Sequence, residues 1–115
     1  MDLSSIIGQE LTAVEFVQDY LQLRFDGPLL TLFVWPDVFR EEGSYAYGEP
    51  EFRNVLCAQL TGSVTAATLE ENEAIEIEFE NGVILRASLR EEDLDVPQAG
   101  QFSESGHLGD ITFEF

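Results

Sequence analysis

Hydrophobic and polar residues alternate along two stretches of this chain, and the same grammar governs both. In residues 20–35, Leu21, Leu23 and Phe25 alternate with Gln22 and Arg24, the two-residue period of a strand with one face on a core. Asp26-Gly27-Pro28 breaks the run, and Leu30, Leu32 and Val34 resume the inward face. The stretch predicts an antiparallel hairpin whose outgoing strand is apolar enough to be buried on both sides. In residues 74–89, Ile75, Ile77 and Phe79 alternate with Glu76, Glu78 and Glu80, Asn81-Gly82 turns the chain, and Val83, Leu85, Ala87 and Leu89 follow. A shift of 54 residues carries Leu21, Leu23 and Phe25 onto Ile75, Ile77 and Phe79, and Gly8 onto Gly62.

The segments around these hairpins extend the pattern. Residues 3–7 predict one or two helical turns closed by Gly8, and residues 11–17 a strand. With Gln18-Asp19 as a two-residue turn, Phe16 faces Leu21, Val14 faces Leu23 and Thr12 faces Phe25. Pro28 has no N–H to close a two-residue Asp-Gly loop, so a longer connection over residues 26–29 is expected. Trp35-Pro36 ends this meander. Residues 36–50 lack a sustained period and predict a surface loop. Phe52, Val55, Leu56 and Leu60 lie at i, i+3, i+4 and i+8, which predicts a helix over residues 51–61 capped by Gly62. A weakly specified strand follows over residues 63–69. In the second hairpin, a three-residue loop over residues 80–82 with Gly82 left-handed puts Phe79 with Val83, Ile77 with Leu85 and Ile75 with Ala87; a two-residue loop would mix charged and apolar positions on one face. Residues 90–109 are acidic and turn-rich and are expected to cross the surface in loops. Ile111, Phe113 and Phe115 then predict a paired seventh strand.

The fold expected is α+β and mostly antiparallel, one domain over residues 1–115. Two similar helix-plus-three-strand meander units, an internal pseudo-repeat of residues 3–35 and 57–89, and a C-terminal strand form a bent sheet or partly open barrel with one packed helix. A second copy covering the sheet edges would make a homodimer.

Composition narrows the function. A chain of 115 residues, 44% of them hydrophobic, is long enough to bury roughly two-thirds of its unfolded surface. Its 23 acidic against 5 basic residues give a net charge of −18. Such a surface repels nucleic acid and anionic membranes and draws basic partners. The start, Met-Asp, carries no Lys or Arg and no apolar run of signal length, and the apolar residues 29–35 are too few to span a bilayer, so a cytoplasmic setting is expected. Cys57 alone makes no intramolecular disulfide and is expected as a buried thiol in a reducing compartment.

Candidate chemistry is sparse. Glu76, Glu78 and Glu80 share one solvated strand face, with no partner to separate their ionisation. Asp93 and Asp95 suggest a calcium loop, but Pro97 takes the next alternate position and no glycine follows where the loop needs it. His107 has no neighbouring Cys or His and makes a poor zinc site. There is no Gly-x-Ser-x-Gly elbow and no glycine-rich loop with a lysine, so no cofactor, metal site or catalytic residue is expected. Aromatics and arginine, the types enriched in binding hot spots, concentrate in residues 35–53. There Trp35, Phe39, Arg40, Tyr45, Tyr47 and Arg53 form the candidate binding surface. The alternative is that Trp35 and Phe52 belong to the core and the tyrosines cover a sheet edge.

Residues 14–27, Val-Glu-Phe-Val-Gln-Asp-Tyr-Leu-Gln-Leu-Arg-Phe-Asp-Gly, with Pro50-Glu51-Phe52-Arg53 and Phe79-Glu80-Asn81-Gly82, resemble a group of small uncharacterised bacterial proteins over residues 6–90. The resemblance implies a bacterial, intracellular setting and carries no activity or site. The leading functional expectation is a non-enzymatic, acidic protein-binding domain, toxin-neutralising or inhibitor-like, that engages a basic partner. The alternatives are a small-ligand pocket at the aromatic loop and an enzyme whose site has no recognisable constellation.

Overall fold

A computed structural model describes residues 2–115. Ten strands form two five-stranded sheets in which every neighbouring pair is antiparallel. The first sheet holds β1 (Leu11–Val17), β2 (Tyr20–Phe25) and β3 (Leu29–Leu32), then β9 (Gly100–Ser103) and β10 (Phe113–Glu114). The second runs β5 (Gly43–Tyr45), β4 (Asp37–Arg40), β8 (Ile84–Ser88), β7 (Ala74–Phe79) and β6 (Val64–Glu70). After β3 the chain crosses to pair β4 with β8; after β8 it crosses back to pair β9 with β3. Each sheet is therefore completed by strands from the other half of the chain. A bridge between Glu10 and Ser63 joins the two sheets where β1 and β6 begin.

The inward faces carry the residues that the alternation predicts. Leu21, Leu23, Leu30 and Leu32 of one sheet and Ile75, Ile77, Leu85 and Ala87 of the other are all buried in one core, and each large aliphatic side chain removed from water contributes about 1.5–3 kcal/mol. Leu3 and Ile6, from a 3₁₀ turn over Ser4–Ile6, and Phe52, Val55 and Leu56, from α1 (Phe52–Cys57), pack onto this core.

Register follows expectation in most of both hairpins. Phe16 faces Leu21 and Val14 faces Leu23; Ile77 faces Leu85, Ile75 faces Ala87, and the Phe79 N–H donates to the Val83 carbonyl at 2.9 Å. Gly82 is left-handed, φ +88°, as the three-residue loop requires. Thr12 does not face Phe25. It is the extra residue of a β-bulge, so Leu11 pairs with Phe25, turns inward and is completely buried. Thr65 is the extra residue between Val64 and Ala66 in the same way. Each bulge threonine donates its hydroxyl to a carbonyl of the neighbouring strand, Thr12 to Arg24 at 3.1 Å and Thr65 to Glu78 at 3.3 Å. A bulge re-aims one residue without disturbing the rest of the strand, and here it buries an apolar residue that strict alternation would leave in water.

Other expectations are corrected. The shift of 54 puts Gly8 with Gly62, but the left-handed residues are Gly8 and Thr61, at φ +85° and +70°. The Gly8 N–H donates to Val64, and the Thr61 N–H to Leu11, each at 2.8 Å. The two-residue Asp26-Gly27 loop does form, closed by a single bond from the Phe25 N–H to the Pro28 carbonyl at 2.8 Å; the bond that proline cannot donate is missing and the turn survives without it. Residues 36–50 contain the β4–β5 hairpin, with Val38 fully buried. Residues 98–109 contain β9, interior to its sheet. The helix of residues 51–61 is shorter, Phe52–Cys57, followed by turns that leave Leu60 exposed and bury Gln59. Gln59 donates to the Val55 carbonyl and accepts from Asn81, each at 3.0 Å, tying the end of α1 to the β7–β8 loop. Cys57 is exposed, because at the helical period it lies off the stripe of Phe52, Val55 and Leu56 that α1 buries. Two sheets thus stand where one bent sheet or a partly open barrel was expected.

Two close approaches fix β9 and the loop after it. A Cβ on Gly100 would lie 2.4 Å from the Thr31 carbonyl oxygen and 2.7 Å from the Phe115 ring. Buried Ser103 gathers residues 105–110: its hydroxyl lies 3.0 Å from the His107 carbonyl and 2.8 Å from that of Asp110, and it accepts from the Gly106 N–H at 3.1 Å. His107 itself stays exposed.

Candidate functional site

Three segments bring aromatic rings to one end of the molecule: Phe16 late in β1, Trp35 after β3, and Tyr47 and Phe52 on either side of the turn that enters α1. Tyr47 lies flat on Trp35, centroids 3.9 Å apart and planes 10° from parallel; Phe16 is near-parallel to Trp35 at 6.4 Å. Phe52 stands nearly perpendicular to Trp35, Tyr47 and Phe16 at 5.8–6.5 Å. Parallel and edge-on arrangements both suit the ring quadrupole. Arg53 places its guanidinium carbon 5.4 Å from the Phe16 centroid. Tyr47 is 46% exposed and forms the outer surface of the stack.

The six residues of the expected binding surface fall into three places. Trp35, Tyr47 and Arg53 join the stack. Arg40 and Tyr45 pair on the β4–β5 hairpin: Arg40 Nη2 donates to the Tyr45 hydroxyl at 3.1 Å, and its guanidinium carbon lies 5.2 Å from the ring centroid. That hydroxyl, with Glu42 at 3.3 Å, holds the Arg40 guanidinium above its ordinary pKa. Phe39 points to the outer face of the second sheet, beside Ile84 and Ser44 and 37% exposed. Phe16 belongs to the stack and was missed, because its place in a strand pattern gave no sign of aromatic company.

Two depressions flank the stack. One, of about 340 Å³, is lined by Tyr47, Gly48, Glu49, Pro50, Phe52 and Arg53. The other, of about 290 Å³, lies between the β3–β4 connection and the segment after β8. Val34, Trp35, Ala87 and Val96 give it an apolar floor, and Asp37, Asp93 and Asp95 line it with carboxylates. Its cation, Arg86, is bonded to Glu76. The Ser88 hydroxyl donates to Asp93 at 2.6 Å, while the Asp37 and Asp95 side chains have no hydrogen bond or ion pair among the described residues. Asp93 and Asp95 are neighbours in the sequence; Asp37, distant in sequence, is what the fold adds to them.

Four of the five arginines are held by carboxylates: Arg24 by Glu15, Arg40 by Glu42, Arg86 by Glu76 and Arg90 by Glu73. No acidic side chain is buried among the described residues, and the three half-buried ones, Glu15, Glu73 and Glu76, are each in such a pair. Every other carboxylate faces solvent. No His, Cys, Asp and Glu side chains among the described residues are grouped to hold a metal ion, and no described helix is long and apolar enough to cross a membrane. Comparison with protein-family models, curated proteins and solved structures gives no match.

Proposed function

We propose that this protein is a non-catalytic domain that binds a basic protein through its carboxylate-covered surface. The observation that carries the reading is the pairing pattern of the arginines. With four of five cations compensated by neighbours and the fifth over an aromatic ring, the remaining carboxylates have no internal counter-charge. Their summed field is directed at whatever approaches. Such a field steers and selects a partner more than it tightens the complex, and inhibitor-like or toxin-neutralising proteins use the same electrostatics.

The small-ligand reading finds less support, because Tyr47 already lies flat on Trp35 at 3.9 Å, where a planar molecule would otherwise stack. The matching bulges, the paired left-handed residues Gly8 and Thr61, and the exchanged strands support a finer architectural reading, in which one helix-plus-three-strand unit is present twice. The test of function is calorimetric titration with lysozyme and cytochrome c as basic probes and an acidic protein of similar size as control. Binding of the basic probes at about 20 mM ionic strength that weakens steadily toward 0.3 M supports the reading. No binding, or binding indifferent to salt, refutes it.

A further inference from the structure

We propose that β6 is a docking edge for a second copy of this chain, the two β6 strands pairing antiparallel across a twofold axis at Thr68; this stands apart from the basic-partner reading and uses a different surface. β6 ends its sheet, with β7 on one side only. The Phe79 N–H donates to Val83 and the Leu89 N–H to Glu73, so the odd-numbered residues of β7 bond toward β8. The even-numbered Glu76 and Glu78 turn their backbone toward β6, against Thr68 and Ala66. Backbone direction alternates along a strand, which leaves the N–H and C=O groups of Ala67 and Leu69 pointing off the sheet with no partner among the described residues. Earlier in the strand the edge is already used: Val64 accepts from the Gly8 N–H at 2.8 Å and donates to the Gln9 carbonyl at 3.0 Å.

Charge selects the occupant. A sheet edge is ordinarily guarded by charged side chains or proline, yet a chain of net charge −18 leaves Thr65-Ala66-Ala67-Thr68-Leu69 with neither. The other three outer strands differ: β1 carries Glu15, β5 is three residues preceded by Glu41 and Glu42, and β10 is two residues, one of them Glu114. Centred on Thr68, the register sets Ala67 of each copy against Leu69 of the other, so the free backbone groups bond to one another. Thr68 meets Thr68, a favourable cross-strand pair, and Glu70 meets Ala66, so no carboxylate faces a carboxylate. The half-buried Ala67 and Leu69 side chains pack against the core, and across the seam each leucine covers the small alanine opposite. Glu76 and Glu78 on β7 stand three strand spacings from their counterparts, about 14 Å, beyond the screening length of about 8 Å at physiological salt. A basic partner finds no carboxylate on this stretch to answer it, whereas a strand of the same sequence matches it on both faces.

The experiment is sedimentation equilibrium of the wild type, Thr68→Glu and Val17→Glu over about 10 µM to 1 mM protein, at about 20 mM and about 0.5 M salt. Backbone amide NMR signals of the wild type are followed over the same concentrations. Thr68→Glu sets two carboxylates against each other at the axis, and Val17→Glu adds the same charge to the edge strand of the other sheet. The expected result is a monomer–dimer equilibrium with a Kd on the order of 0.1 mM at the higher salt, about fivefold weaker or more at the lower. The Ala67 and Leu69 amides should shift saturably with concentration, Thr68→Glu should weaken the dimer about tenfold or more, and Val17→Glu should change it less than about twofold. A wild type that stays monomeric at about 1 mM in the higher salt, assembly that continues past the dimer, amide shifts that saturate elsewhere, or equal loss in the two variants overturns the proposal. If Thr68→Glu does not fold, the wild-type amide shifts decide. Screening strengthens this contact and weakens lysozyme binding, so the two readings stand or fall separately.

Discussion

Replacing Gly100 by alanine tests the packing of β9 at one atom. The backbone of Gly100 is not in the left-handed region, so the effect is steric. The added Cβ would lie 2.4 Å from the Thr31 carbonyl oxygen and 2.7 Å from the Phe115 ring, where ordinary contact begins near 3.4 Å. The oxygen belongs to the β3 backbone and cannot rotate away, so β9 must withdraw from β3 by most of an ångström. That withdrawal weakens one or two ladder hydrogen bonds, each about 1 kcal/mol, and displaces the Phe115 ring at a further cost of about 1 kcal/mol. The expected loss is about 2–3 kcal/mol, or roughly 8–12 °C in midpoint at about 4 °C per kcal/mol for a domain of this size. Urea unfolding followed by the fluorescence of Trp35, the single tryptophan, measures it. Gly109→Ala, whose Cβ meets nothing within 4 Å, is the control and should move stability by less than about 0.5 kcal/mol. A Gly100→Ala protein within 1 kcal/mol of wild type would falsify the packing described for β9.

The remaining expectations use the same unfolding assay. Thr12→Val and Thr65→Val each remove a bulge hydroxyl that bonds the neighbouring strand and should each cost about 0.5–1 kcal/mol; markedly unequal losses would contradict the equivalence of the bulges. Thr61→Asn relieves a β-branched residue at φ +70° and should stabilise by about 0.5–1 kcal/mol, because asparagine tolerates the left-handed region. Tyr47→Ala uncovers Trp35, shifts its emission to the red and costs about 1 kcal/mol in ring stacking, whereas Tyr47→Phe leaves both unchanged. The Ser4 N–H donates to Asp2 at 2.6 Å, and this bond keeps the Asp2 carboxyl below its ordinary pKa. Its contribution is complete above the usual carboxylate range and disappears as pH falls through the lowered value, so the small stability gap between wild type and Asp2→Asn should close on acidification; a gap that widens toward pH 3 contradicts the assignment.

The sequence made the alternating strands legible because alternation is a local property. Ile75, Ile77 and Phe79 face the core for the reason visible in their spacing, and Gly82 turns left-handed because the register requires it. What stayed hidden depends on partners remote in the chain. β9 carries only Phe102 as an apolar marker, with Ala99 just before it, and becomes an interior strand because β3 needs a neighbour on its free side. β4 is anchored by Val38 alone, paired with Leu85 nearly fifty residues away. The bulges were hidden by threonine, which suits a strand either way. Of the site, the concentration of aromatics was visible and its division was not: Phe39 and Arg40 are adjacent in sequence, but strand alternation sends them to opposite faces. The Asp37, Asp93 and Asp95 lining exists only once the two crossings are made.

Those crossings govern the order in which the molecule can be finished as it leaves the ribosome. β4 has only the three-residue β5 to lie against until residues 84–88 are made, and the apolar β3 has β2 on one side and waits for residues 100–103 on the other. Neither sheet closes early, so the nascent chain exposes the unfilled side of Leu29–Leu32 through most of its synthesis, an invitation to pair wrongly. The second sheet has all its strands once Ser88 is made, while the first is finished only with residues 113–114, so the chain's opening meander is the last part to be closed.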